Sequence, residues 1–455
     1  MEGSPYAGGL GVANNPASIL SAPYPWDVTI FSLQEKNSSN AVTLHNLSLL
    51  HFTDTVAYKW KDGYMKRFIA FDYNIHLLNA RINIGKMQAI AFGANLRGYG
   101  SARSGPVNYS DTLKDMNQFF SLNPFTTYDA KMTSSSWLEL FFTYSRTIID
   151  DNVRRLNAGI TLKGMRGVSG LFAQLAGGGI DRAVSGNQTI YFLKAGSARY
   201  GYSGNYDRWK SNNSTMQNLK DLFGASRPSA AVDFGLEYWI KRQAVIPNAE
   251  RAEAWYDYEW KIGVSLLDVG QNNYRYGTQS RTASSPRSDV SDSALNVKFG
   301  NPKNLAEFND SLATIVNNIA ALNGQFRIWN PMRLVINVDR PLRDNFSINA
   351  NLTLNMPWTS TAKRLVVKDM SLFVLTPRWE TKKWGLYMPL QVTTDGKFWV
   401  GGAAKAGPVL FGIHNMLTVI SKSRAANAGL YLAVVIRPGS GPKEKEDKRL
   451  DCPPY

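Results

Sequence analysis

Apolar and polar residues alternate along much of this chain. From Phe346 to Met356, Phe346, Ile348, Ala350, Leu352, Leu354 and Met356 share one parity, while Ser347, Asn349, Asn351, Thr353 and Asn355 hold the other. Successive side chains of a strand point to opposite faces, so this stretch predicts a strand with one apolar face and one face of small polar groups. The pattern recurs. Val232, Phe234, Leu236, Tyr238 and Ile240 alternate with Asp233, Gly235, Glu237, Trp239 and Lys241; Tyr258, Trp260, Ile262, Val264 and Leu266 alternate with Asp257, Glu259, Lys261, Gly263 and Ser265. Leu156 to Lys163 and Ile90 to Arg97 repeat the pattern, with charges and amides kept to one parity.

One such segment also fits a half-buried strand of a soluble sheet, so the connections must separate the readings. A soluble sandwich would turn every 8 to 12 residues or so. Here short connections, Gly85-Lys86 and Thr393 to Lys397, are mixed with long polar excursions near 100–135, 179–230 and 269–330. Tight turns on one rim and long loops on the other predict an all-β protein: a transmembrane antiparallel up-and-down β-barrel of about 14 strands, with 16 the other even count, whose strands cross hydrocarbon in about 9 to 11 residues. The barrel is expected over 26–438, ending in a close meander. Leu305, Phe308, Leu312, Ile315, Ile319 and Leu322 recur at helical spacing, predicting a short external-loop helix over 305–322. The charge-alternating residues 439–455 read as a periplasmic tail.

Composition sharpens this picture. Of 455 residues only 19% are charged, whereas Trp, Tyr and Phe make up 12%. No run of about 18 apolar residues exists, but a barrel hides from that test. Trp26, Trp60, Trp379, Trp384, Tyr387 and Trp399 fall near strand ends and are expected to form an interfacial girdle. The net charge of +16 asks for an anionic partner. Its basic residues are scattered without a nucleic-acid-binding motif, which points to outer-membrane lipid and lipopolysaccharide rather than nucleic acid. Other outer-membrane or periplasmic proteins are the further expected partners, through the 305–322 helix and the 439–455 tail. "MEGSPYAGGLGV" has neither a basic start nor an apolar stretch, so the expectation is a mature product whose leader has been removed.

Candidate chemistry is sparse. The single Cys452 can form no intrachain disulfide, and His45, His51, His76 and His414 fall on separate segments without metal-ligand spacing. Asp150 and Asp151 make an acidic pair, but in a predicted tight turn where such residues are routine. No G-x-S-x-G elbow occurs, and "GMRGVSG" lacks the spacing of a phosphate loop. The expectation is a non-enzyme without cofactor or metal.

The stretch "GGLGVANNPASIL", Gly8 to Leu20, resembles the start of FadL-type outer-membrane barrels, the match being Asn15, Pro16 and Ala17. With "LNAGITLKGMRGVSGLF", "YEWKIGVSLLDVG" and "AKAGPVLFGIHNML", the chain from about Gly8 to Pro438 is similar to a largely uncharacterised Bacteroidota outer-membrane barrel family, related in style to FadL and PorV. The resemblance implies an N-terminal hatch over 1–25, folded into the lumen and carrying the Asn15-Pro16-Ala17 motif. It also implies either of two jobs: passage of small hydrophobic molecules across the outer membrane, or a non-catalytic accessory or structural role in a larger complex. A lateral exit would need a break in strand pairing; the Gly-rich stretches 176–180 and 400–407 are the places to look.

Overall fold

The computed structural model describes residues 3–45, 57–186, 188–224, 226–242, 258–343, 345–356, 364–394, 396–416 and 426–438. Its strands run in chain order as β1 (Trp26–Ser39), β2 (Val42–His45), β3 (Ala57–Trp60), β4 (Gly63–Asn83), β5 (Gln88–Tyr109), β6 (Tyr128–Asp150), β7 (Arg154–Ser185) and β8 (Gln188–Tyr202). There follow β9 (Pro228–Lys241), β10 (Tyr258–Arg275), β11 (Arg281–Pro286), β12 (Val316–Ala321), β13 (Gln325–Trp329), β14 (Arg333–Pro341), β15 (Phe346–Asn355) and β16 (Leu365–Val366). The last are β17 (Leu372–Glu380), β18 (Trp384–Tyr387), β19 (Leu390–Thr393), β20 (Phe398–Val400), β21 (Gly402–Ala406), β22 (Val409–Ile413) and β23 (Asn427–Ile436). Four α-helices lie between strands among the described residues: α1 (Met116–Leu122), α2 (Thr215–Gly224), α3 (Asp292–Phe299) and α4 (Leu305–Ala313).

These strands close into an antiparallel barrel of 14 staves. The first and last pair with each other, Val28 opposite Ile436 and Ser38 opposite Asn427, so the cylinder has no free edge there. β18 with β19, and β20 with β21, each make one stave interrupted at Pro389 or Gly401. β8, β11, β12, β13 and β16 are additions beyond the wall. β7 serves both: Arg154–Arg166 pair with β9, while Leu171–Ser185 pair with β8 above.

Parity sorts the side chains as the alternation predicts. Phe346 and Ile348 are 53% and 39% exposed, whereas Ser347 and Asn349 are 2% and 1%. Leu140, Leu162 and Leu236 lie exposed on the outer surface, opposite buried Glu139, Lys163 and Glu237. Oil outside and polar groups inside is the order of a cylinder immersed in lipid.

Several expectations change in detail. The Thr393 to Lys397 turn lies at the long-loop rim, opposite the Gly85-Lys86 turn, because β19 runs away from the short-turn rim. The excursions near 100–135, 179–230 and 269–330 are partly strand: β5, β6, β7 and β8 extend well past the length a membrane needs. The predicted 305–322 helix stops at Ala313. Asn304 caps its start by accepting the Glu307 amide at 2.9 Å, but Val316–Ala321 pair with β11 instead, Ile319 opposite Ala283. Tyr387 and Trp399 leave the girdle, since their parity turns them inward, where both are buried; Trp26, Trp60 and Trp384 are exposed, and Trp379 is half-buried. Tyr258 also turns inward, because a register shift between Tyr258 and Trp260 breaks the alternation.

Candidate functional site: the packed lumen

The short-turn end of the lumen holds the N-terminal segment. It forms two 3-10 turns, Pro5–Ala13 and Pro16–Ser21, each with proline in its first turn and a side-chain cap: Ser4 Oγ accepts the Tyr6 amide at 3.0 Å, and Asn15 Oδ1 accepts the Ala17 amide at 2.9 Å. Asn15, Pro16 and Ala17 lie together against the wall. Asn15 Nδ2 donates to the Leu236 carbonyl of β9 at 2.9 Å, and the Pro16 carbonyl accepts from Ser145 Oγ of β6 at 2.7 Å. Gly159 and Gly235 make this approach possible. A Cβ on Gly159 would stand 2.6 Å from the Ala17 nitrogen, and one on Gly235 would stand 2.1 Å from Asn15 Oδ1.

Inward charges hold the rest of the segment. Asp27 accepts the Gly9 amide at 2.8 Å, Lys261 Nζ donates to the Gly3 carbonyl at 2.6 Å, and Arg437 donates to the Tyr6 carbonyl at 2.7 Å. Arg81, paired with Asp27, donates to the carbonyls of Ile19 and Tyr24. Val12, Ile19 and Leu20 pack against Ala89, Ala91 and Phe141, where small inward residues of β5 leave them room. A chamber of about 210 Å³ remains beside the segment, bounded by Ser18, Gln34, Lys36, Asn337 and Leu410.

Midway through the barrel, ion pairs cross the lumen. Asp268 is the hub: a register shift in β10 between Leu266 and Val269 puts it at a φ of 60° and turns its carboxylate inward. It accepts from Lys163 at 2.7 Å, from Arg333 at 2.8 Å and from both terminal nitrogens of Arg97. Lys163 reaches Asp233 at 2.7 Å, Arg97 reaches Glu139 at 3.5 Å, and Arg333 reaches Asp369 at 2.8 Å. Lys36 extends the chain to Asp369 and Asp72. Charges this deeply buried persist only when paired and hydrogen-bonded.

Above this layer lies an apolar plate. Tyr99, Trp137, Met165, Phe172 and Tyr274 project inward from the wall and meet Phe326 and Ile328 of β13. β13 leaves the wall to pair with the inner strand β16, which brings Leu365 against the same cluster. Tyr99 stacks on Trp137 at 5.6 Å, and the Arg97 guanidinium lies 5.5 Å from each ring. Gly167 and Gly170 admit the Tyr274 ring.

The long-loop end carries a cap. Phe120 of α1, Leu295 of α3 and Leu312 of α4 share a core with Tyr191 of β8. Beneath the cap lie two apolar cavities, of about 390 and 800 Å³. Ile69, Ala102, Met132, Phe172, Tyr200 and Phe308 line the larger one.

Other sequence candidates are placed as follows. Asp151 accepts the Val153 and Arg154 amides at 2.9 and 2.8 Å, and Asp150 pairs with Lys241, so both carboxylates are engaged at the short turn. His76 sits between Asn74 and Asn79, and His414 packs against Tyr431. His45 ends β2; His51, Cys452 and the 439–455 tail lie outside the described residues. In the glycine stretches, β7 shifts register between Ala176 and Ile180. The wall breaks at Gly401 are bridged, its amide donating to the Pro389 carbonyl at 2.8 Å. Neither the ion-paired layer nor the plate was foreseen. Trp137 and Tyr99, aromatics on the polar parity of their strands, were the available signal.

A closed antiparallel cylinder with an oily exterior and a packed polar lumen defines an outer-membrane β-barrel. The chain belongs to the family described as Family of unknown function (DUF5723), which it matches over residues 16–415. No curated protein matches it. Similar solved structures include the P. putida toluene transporter TodX, with 10% identity, coverage of 94% of this chain and 93% of that one, and a TM-score of 0.43. A Pseudomonas aeruginosa FadL homologue has 10% identity, coverage of 96% and 94%, and a TM-score of 0.40. The outer membrane protease OmpT from Escherichia coli has 7% identity, coverage of 90% and 93%, and a TM-score of 0.20.

Proposed function

We propose that this barrel, plugged by its N-terminal segment, passes small hydrophobic molecules across the outer membrane. The observation that carries the reading is the cavity of about 800 Å³ under the cap, whose wall is almost wholly apolar. Its volume lies in the range of small-molecule sites, and Phe172 belongs both to it and to the plate below. Ala102, Met132 and Tyr200 line it from the parity opposite to Phe172, so a ligand held there lies under α4 on the outer face of the extended strands. Residues 3–22 act as the hatch, held by hydrogen bonds that a modest rearrangement can exchange for water.

Vesicles with a lipopolysaccharide outer leaflet test this. Reconstituted protein is expected to speed uptake of a labelled aromatic hydrocarbon or fatty acid but not of sucrose, and Ala102→Trp with Ala198→Trp, which fill the cavity, should remove the gain. Uptake equal to protein-free vesicles sinks the proposal.

A second reading, an accessory subunit of a larger outer-membrane complex, is supported by a different feature. Phe125, Val297 and Met216, all on the long-loop side, are 97%, 85% and 75% exposed. Stoichiometric co-purification from native membrane with a second protein, lost on Phe125→Ser with Val297→Ser, is its test.

A further inference from the structure

The wall facing the long-loop mouth carries a rung of cations. Register places Arg103 of β5 directly opposite Lys131 of β6, Lys131 opposite Gln174 of β7, and Gln174 opposite Arg199 of β8. Directly opposed residues share a face. That face is the lumen, because two residues further down each strand it carries Ser101, Thr133 and the plate residue Phe172. Lys368, half-buried on the inner loop after β16, stands within electrostatic reach of both Arg103 and Lys131.

Like charges set directly across a strand pair are destabilising. Among the described residues, no carboxylate lies within ion-pair distance of Arg103, Lys131, Arg199 or Lys368. Arg199 donates to the Tyr276 hydroxyl and lies over the Phe172 ring. The nearest acids are committed elsewhere: Asp369 to Lys36 and Arg333, and Asp129 to the Gly177 amide. The contrast with the layer below is sharp, for there every cation has its carboxylate. Arg103 and Lys368 share a cavity of about 220 Å³ with Ser38, Ser101, Thr393 and the already paired Asp369.

We propose that this rung is an anion-binding site for a phosphate monoester, with Arg103 and Lys368 gripping the phosphate and Lys131 completing the charge. Several cations converge where the one carboxylate, Asp369, is already paired with Lys36 and Arg333, which suits a doubly charged group better than a single carboxylate. Phe68, Met332 and Val367 line the same cavity and give an attached hydrocarbon chain somewhere to lie. Passage through the barrel is not assumed, so the site stands or falls apart from the transport reading.

The test is binding to the full chain in nanodiscs, with octyl phosphate, octanoate, octanol and inorganic phosphate as probes. Octyl phosphate is expected to bind at least about tenfold more tightly than octanoate or octanol, with affinity falling as salt rises. Arg103→Gln and Lys368→Gln should each weaken it by about tenfold or more, and Arg103→Lys should recover part of the loss. Inorganic phosphate binding as tightly as octyl phosphate would identify a free phosphate as the ligand; much weaker binding would identify a phosphorylated amphiphile. Equal affinity for octyl phosphate and octanol, or variants that bind octyl phosphate like the parent while retaining the heat-resistant folded band on gels, would overturn the proposal.

Discussion

The guanidinium of Arg378 donates to both carboxylate oxygens of Asp339, at 2.7 and 2.9 Å, with both side chains almost wholly buried. The same guanidinium reaches Glu380 at 2.8 Å, and Glu380 accepts from Ser4 of the N-terminal segment at 2.8 Å. Wall and N-terminal segment therefore share one electrostatic cluster. Removing one partner of a buried pair leaves a bare charge, so Arg378→Met should destabilise the barrel by about 3–5 kcal/mol. Arg378→Met with Asp339→Leu should cost less than the sum of the single changes. Equilibrium urea unfolding in lipid vesicles reads both values.

Gly159 and Gly235 are the contact points for the Asn15-Pro16-Ala17 turn, and neither needs glycine for its own backbone conformation. Gly159→Val and Gly235→Val should therefore leave the strands intact and push the N-terminal segment off the wall. The expected result is ion conductance in planar bilayers well above that of the parent, with unchanged β-sheet circular dichroism. A silent channel in both variants would show that the lumen stays closed without the segment at that place.

Leu162 is 57% exposed on the outer face, next to buried Lys163. An arginine at 162 would enter hydrocarbon, so Leu162→Arg is expected to cost about 2–4 kcal/mol of folding stability if it sits near the midplane. Thr161→Ser, on the lumen side one residue away, should cost far less. Folding titrations in vesicles distinguish the two faces.

The Asp151 carboxyl, at the short turn outside the membrane-spanning strands, is held below the usual carboxylate range by the amides of Val153 and Arg154. A depressed folded value means that its contribution is present above the unfolded value of about 3.9 and is lost as pH falls through the lower folded one. Asp151→Ala should lower the unfolding midpoint more at pH 7 than at pH 2. An equal loss at both pH values would assign the effect to packing instead of charge.

Alternation made the wall legible because a strand's periodicity is local: Phe346 and Ser347 face opposite ways whatever the rest of the chain does. The same rule fails wherever a register shift intervenes, as at Tyr258, and it cannot say which inward aromatic will find a partner. For Trp399 and Tyr387, nearness to a strand end is a weaker signal than parity, which turns both rings inward. The helical spacing of 305–322 was real only to Ala313, beyond which pairing with β11 outweighed local preference. The contacts of Asn15, Pro16 and Ala17 with Ser145, Gly159 and Gly235 join residues more than a hundred positions apart.

By itself, the sequence determined which side of each strand meets lipid, that the strands are many and long, and that one rim carries the larger loops. These follow from neighbouring residues. Only the tertiary structure decided that Asp268 gathers Arg97, Lys163 and Arg333, that β13 leaves the wall to complete an apolar plate, and that Arg103, Lys131 and Arg199 line up without an acid. The physical reason is that closure of the cylinder, and the registers that close it, bring together charges and rings whose separation along the chain carries no trace of their meeting.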